Sequence, residues 1–255
     1  QLAERLGCTV LYAVVGNDEQ AGIHADAQEA MESLNAEEVT AAGEDNYDRI
    51  LAAATEHKSD LLIVPCPFGR DFESLGEDST GTVIDVLTAR WGAPLVAIRR
   101  PDAIGRDPTN HLRMILTGEN AAAEEAARWA IGLAAPNARL EMLLLVEESF
   151  YQNFREALHS IQPEVDVSYE DLESALARTY GRLHAALQHT AAAESLHYEL
   201  LIRHEGDEQP ITPEDPQTHP ALMILGNDRS SHDSQGEVQD FIRRSPHPVL
   251  VVPVD

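Results

Sequence analysis

Short apolar runs, each followed by a longer stretch of helical spacing, recur along this chain, and that alternation constrains its fold more than any other feature. Parallel strands need a long crossover between them, usually a helix, so the pattern points to a parallel α/β sheet. Residues 8–15 (CTVLYAVV) read as a buried strand, 20–34 as a helix, and 36–42 as a weak strand. Residues 46–57 have Ile50, Leu51 and Ala54 on one helical face, and 61–65 form a strand entered through Asp60. A loop rich in glycine and acid spans 66–81. A helix over 82–90 and a strand over 94–99 (PLVAIR) close the series.

The series then restarts. Residues 100–110 contain Pro101, Gly105 and Pro108 and read as a linker. Beyond it come a strand at 112–117, an Ala-rich helix at 121–134, and a strand at 139–146. Residues 150–193 read as helix in two pieces, broken near Pro163. A strand at 196–203 follows, and then 204–220, where four prolines argue against a full helix. A strand at 222–226, a helix at 236–244 and a strand at 248–254 end the chain. The halves align as an internal repeat: Asp60-Leu-Leu-Ile-Val matches Ala221-Leu-Met-Ile-Leu, and Ala93-Pro-Leu-Val matches His247-Pro-Val-Leu. One element has no counterpart. The second half opens with a strand at 112–117, whereas the first opens inside the end of a helix, at 1–6, capped by Gly7. The division expected is therefore a first domain over 1–100, a linker over 101–110 and a second domain over 111–255.

Composition bounds the partners. Forty-four acidic against 18 basic side chains give a net charge of −26, and the basic residues are 17 arginines and the single Lys58. Such a surface repels phosphate, which argues against nucleic acid as a partner. Acid excess with so little lysine suggests adaptation to high salt, where screening removes most of the self-repulsion. The other account is an acidic protein from a GC-rich genome. The longest apolar runs, 142–146 and 221–225, are too short to span a bilayer. Two cysteines, Cys8 and Cys66, make no disulfide framework and suit a reducing cytoplasm.

The order of elements resembles the universal stress protein family in tandem arrangement. The residues that carry the resemblance are Val39-Thr-Ala-Ala-Gly43, Ile50-Leu-Ala-Ala-Ala, Asp60-Leu-Leu-Ile-Val64, Gly81-Thr82 and Ala93-Pro-Leu-Val96. In the second copy they are Ile115-Leu-Thr-Gly, 126–130, 143–146, Met223-Ile-Leu-Gly and His247-Pro-Val-Leu-Val-Val. The resemblance covers nearly the whole chain and lies in the order of its pieces. It implies two Rossmann-like parallel sheets with strand order 3-2-1-4-5, the first lacking its central N-terminal strand. That gap is expected to be filled by another segment, or by sequence upstream of Gln1.

The resemblance also implies where a nucleotide would sit. ATP-binding members use a loop after strand 4 whose glycines admit the phosphates and whose last hydroxyl opens a helix. Here Cys66 replaces the first glycine, and eleven residues separate Gly69 from Gly81-Thr82, two more than the family pattern. Asp71, Glu73, Glu77 and Asp78 would repel phosphate, and Arg70 is the cation within the loop. Gly69, Arg70, Gly81 and Thr82 are thus a weak candidate site, with plain turn and cap geometry as the alternative. In the second half Gly226-Asn-Asp-Arg229 leads to Gly236-Glu237, a carboxylate in place of the hydroxyl, and Thr117 stands at the strand 1 Asp position.

No cofactor, metal site or catalytic residue is expected. Eleven histidines form no His-x-x-x-His pair, and no nucleophile elbow or Walker loop occurs. Leu172, Leu176, Tyr180, Leu183 and Leu187 recur at helical spacing, either to cover the chain's own sheet or as a dimer surface. The reading is a non-enzymatic tandem module that acts by binding or as a homodimer. The alternative is a cytosolic regulatory domain of a membrane transporter, of the amino-acid permease or cation–chloride cotransporter type.

Overall fold

The structure, a computed structural model, describes residues 6–15, 31–66, 82–99, 107–116, 121–146, 148–162, 164, 168–204 and 215–254. The second half realises the expected order. Its strands are β5 (His111–Leu116), β6 (Arg139–Val146), β7 (His197–His204), β8 (Leu222–Asp228) and β9 (Val249–Val254), running β7-β6-β5-β8-β9 with every neighbour parallel. That is 3-2-1-4-5, with β5 in the centre.

The first half supplies two separate strand pairs. β1 (Leu11–Tyr12) pairs with β2 (Glu37–Glu38), and β3 (Leu62–Pro65) pairs with β4 (Leu95–Ile98), both parallel. Among the described residues no strand joins β1 to β3, so the expected gap is present. β1 and β2 are each two residues long, shorter than the expected 8–15 and 36–42. A strand with one free edge keeps few ladder bonds.

The two halves share one sheet. β4 pairs antiparallel with β9, so β3 and β4 extend the second half's sheet to seven strands, β3-β4-β9-β8-β5-β6-β7. The linker expected over 101–110 lies mostly outside the described residues; its end is a short 3-10 turn, Pro108–Asn110, capped by the Asp107 carboxylate.

Seven helices pack on this sheet among the described residues. They are α1 (Asn46–Glu56), α2 (Thr82–Arg90), α3 (Ala121–Leu133), α4 (Glu148–Ile161), α5 (Tyr169–Thr179), α6 (Gly181–Ala193) and α7 (His232–Arg244). The segment read as two helices around Pro163 is thus three. α7 starts four residues before the expected Gly236, because Ser231 caps it by accepting from the Ser234 N–H. The leucine stripe of 172–187 covers the chain's own sheet: Leu183 and Leu187 join the core beside Leu140 and Met142, and Leu172 packs with Val146 and Tyr151.

Alternation along the strands sorts the core into two layers. Leu112, Met114, Leu140, Met142, Leu222 and Ile224 face α3 and α6. Ile115, Leu143, Met223 and Leu225 face the opposite layer, where Ile84 and Leu87 of α2 meet Val238 and Ile242 of α7. The repeat is also written in the turns. Gly7 before β1 and Asn137 before β6 both have φ of 61°, and Asn35 before β2 (52°) answers Ser195 before β7 (57°). The last two end helices alike, with the N–H of Ala36 donating to Met31 and that of Leu196 to Ala191.

One cluster breaks the apolar pattern. Glu141 on β6 is fully buried between neighbouring strands, with Arg113 Nε at 2.5 Å, Arg139 Nη2 at 2.7 Å and His111 Nε2 at 2.9 Å. Burial alone would raise its pKa. The hydrogen bonds and charge of His111 and Arg113 outweigh burial and hold the carboxyl at about 2.

Candidate functional site

Open α/β sheets bind ligands outside the carboxyl ends of their strands, so the crevices to inspect are those after β3 and after β8. After β3, Thr82 stands at the start of α2 with its side chain exposed. Gly69, Arg70 and Gly81 lie outside the described residues, so Thr82 is the one member of the candidate set whose place is given.

The described residues add one group that the sequence reading passed over. Arg99, at the end of β4, is buried, and its charge reaches the buried thiol of Cys66 at the end of β3. Burial pushes the Cys66 thiol up to about 11, assisted by Asp85 in the first turn of α2 and opposed by Arg99. At neutral pH Cys66 is therefore a protonated, poorly nucleophilic thiol. Asp85 sits in the helix turn where an anion would otherwise be favoured. The signal for Arg99 was its position, one residue beyond the last apolar residue of a buried strand.

After β8 the same chain positions are turned to structural use. A Cβ on Gly226 would lie 2.6 Å from the carbonyl carbon and oxygen of Ala122, so this glycine exists to let α3 pass. Asn227 is buried and donates Nδ2 to the Thr88 carbonyl of α2, 3.0 Å away. Arg229 donates Nη1 to the Arg90 carbonyl at 3.3 Å. Both bonds satisfy carbonyls in the last turn of α2, so the second half caps a helix of the first.

The start of α7 is likewise served from within. Asp228 accepts from the Ser230 N–H at 3.0 Å and from its hydroxyl at 2.6 Å, and those bonds lower its pKa. Its own N–H donates to Ser234 Oγ. Glu237, expected at the helix start in place of a hydroxyl, falls one turn inside the helix; Ser231 and Ser234 hold the start instead. Thr117 lies outside the described residues.

Comparison with known proteins gives the fold. No family model matches the sequence, and no curated protein matches it. Among solved structures, a universal stress protein from Archaeoglobus fulgidus is similar at 12% identity and a TM-score of 0.56, covering 98% of this chain and 90% of its own. A functionally unknown protein from Pseudomonas aeruginosa is similar at 15% identity and a TM-score of 0.56, covering 99% and 85%. The cytoplasmic domain of a prokaryotic cation chloride cotransporter aligns at 9% identity, covering 97% and 87%, with a TM-score of 0.43. No helix among the described residues is long and apolar enough to cross a membrane. At these identities the likeness speaks for architecture alone, and the architecture of the described residues is that of the universal stress proteins: a Rossmann-like, mostly parallel α/β fold.

Proposed function

We propose that this chain is a non-enzymatic universal-stress-type module that works by binding a partner or a second copy of itself, with nucleotide binding lost from its second half. The observation that supports this most is the use made of the loop after β8. Gly226 is committed to Ala122, Asn227 and Arg229 to the end of α2, and Asp228 to the start of α7. The side chains of this loop and the Ser230 N–H are thus engaged within the fold, which leaves the loop poorly placed to cradle a phosphate.

Calorimetric titration with ATP in concentrated KCl tests the reading. High salt is needed because a chain of net charge −26 would confound binding with unfolding in dilute buffer. The expected result is no saturable heat. Tight binding abolished by Thr82→Ala would overturn the reading and return the first-half loop to service. Tight binding that survives Thr82→Ala but is lost in Asn227→Ala would place the nucleotide in the second half. Sedimentation in the same buffer tests the self-association, for which a dimer is the expected species.

A further inference from the structure

The seven-stranded sheet ends on two edges of opposite character. At one end stands β3, four residues long, with the N–H groups of Leu62 and Cys66 donating toward β4. Its outward residues are therefore Ile63 and Pro65, and a proline offers no donor to a further strand. At the other end stands β7, eight residues without proline or glycine, and among the described residues no strand lies on its outer side. A long edge of that kind is a template for another strand.

The register of β7 fixes what that edge presents. The N–H of His197 donates to the Ala138 carbonyl on the β6 side, and β6 and β7 keep parallel register along all of β7. Alternate residues of a strand turn their backbone groups the same way, so Glu199, Leu201 and Arg203 also face β6. Tyr198, Leu200 and Ile202 turn theirs outward. The side chains divide likewise: Tyr198, Leu200 and Ile202 pack in the layer of α3 and α6, and Leu201 in the opposite one.

In an antiparallel ladder outward residues oppose outward residues, so a two-fold axis joining two copies of β7 passes through a residue. With the axis at Leu201 the strand is complementary to itself. Leu200 faces Ile202 as a hydrogen-bonded pair, and Leu201 meets its own copy. Glu199 lies opposite Arg203 in a non-hydrogen-bonded pair, where side chains come closest, and symmetry makes that ion pair twice. Arg203 is half-buried and has no ion pair among the described residues, while Glu199 is exposed and holds Arg139 at 2.9 Å through Oε2. The chain already joins its own halves by an antiparallel edge, β4 on β9.

We propose that the outer edge of β7 is the surface on which a second copy of this chain docks, β7 pairing antiparallel with β7 about a two-fold axis at Leu201. This presupposes the self-association proposed above and adds its surface and its register.

Sedimentation equilibrium of the whole chain, at the lowest KCl concentration that keeps it folded, compares the wild type with Glu199→Arg and Arg203→Glu, each checked for folding by circular dichroism. Low salt matters because salt screens the ion pairs. Each single variant sets like charges opposite one another at both ends of the ladder and should weaken the dimer roughly tenfold or more. An equimolar mixture of the two variants restores opposite charges at both positions, so a dimer with one of each should form with near wild-type affinity. Mixing would not rescue a variant that had merely lost its fold. The amides of Leu200 and Ile202 should exchange more slowly as protein concentration rises, while that of Leu201 stays slow throughout. A wild-type chain that is monomeric at every concentration overturns the self-association and this surface with it. A dimer that both variants retain keeps the self-association and overturns the surface. A mixture that stays monomeric overturns the register. Protection of Leu200 and Ile202 that is independent of concentration would assign the edge to this chain's own residues and overturn the docking.

Discussion

The two halves of this chain carry the same plan to different ends. In the second half the central strand β5 is present, both sheet faces are filled, and a buried carboxylate on β6 ties that strand to β5. In the first half the strands fall into two pairs, and one of them survives by joining the second half's sheet through β4 and β9. A Rossmann-like half without its middle strand does not hold one sheet. Its inner pair finds a neighbour in the other half, while its outer pair stands apart with two residues in each strand.

The largest test of that contrast is Glu141. Arg113, Arg139 and His111 converge on a carboxylate with no exposure, so Glu141→Ala removes the buried partner of the largely buried Arg113 and should cost about 3–5 kcal/mol. The pH dependence has a definite sign. The carboxyl is near 2 when folded, below the ordinary carboxylate value, so its contribution is complete above about pH 4.5 and disappears as the pH falls through about 2. The wild-type chain and Glu141→Gln should therefore differ most in urea midpoint near neutral pH and converge in acid. A constant gap across the pH range would mean that packing, not charge, holds this site.

Gly226 and Pro65 occupy matching positions and should respond oppositely. Gly226→Val forces a side chain into the backbone of Ala122 and should cost about 1–3 kcal/mol or more, since backbone cannot rotate away. Pro65 is exposed, with β4 on one side and no described strand on the other, so Pro65→Ala should change the denaturant midpoint little. A large loss from Pro65→Ala would show that the bare face of β3 is covered after all.

The seam between the halves is the next rank of effect. Asn227→Ala removes the bond to the Thr88 carbonyl and should cost about 1–2 kcal/mol. Arg229→Ala, more exposed and at a longer distance, should cost less. Thermal melts of both and of the double variant check whether the two caps of α2 act together. If neither moves the melting temperature, the β4–β9 ladder and the α2–α7 core hold the halves without help from this loop.

Much of this was legible in the residues, and the misses have physical causes. The alternation of strands and helices, and the strand at 112–117 with no counterpart in the first half, followed from apolar runs, because buried parallel strands must be apolar on both faces. The spatial order and the central place of that strand came from the family resemblance. Helix α2 was expected over 82–90 and lies at Thr82–Arg90. The start of α7 was placed late because Gly236 resembles a helix-opening turn, whereas Ser231 makes the cap five residues earlier. The joined sheet was not legible, since strand pairing across halves is set by tertiary contact. The roles of Asn227 and Arg229 were hidden for the same reason: a polar loop residue that caps a helix some 139 positions away leaves no local pattern. Arg113, Glu141 and Arg139 alternate with apolar neighbours and read as ordinary solvent-facing positions until the register brings them together.

The smallest predicted effect compares the turns that end matching helices. Asn35 and Ser195 both adopt a left-handed backbone, at φ 52° and 57°, just before β2 and β7. Glycine adopts that conformation without a Cβ penalty, and asparagine tolerates it better than serine because its short amide can bond locally. Ser195→Gly should therefore stabilise the chain by about 0.5–1 kcal/mol, and Asn35→Gly by less, despite the extra freedom glycine gives the unfolded chain. The difference has a second source. Ser195 ends α6, whose Leu187 and Ala191 are buried in the second half's core, so relief at that turn reaches the cooperative unfolding of the whole sheet. Asn35 leads into the two-residue β2, whose local opening need not unfold the rest. Calorimetry of the two variants in concentrated KCl decides it. A larger gain from Asn35→Gly would show that β1 and β2 unfold together with the seven-stranded sheet, and that the first half is less divided than its strand pairing indicates.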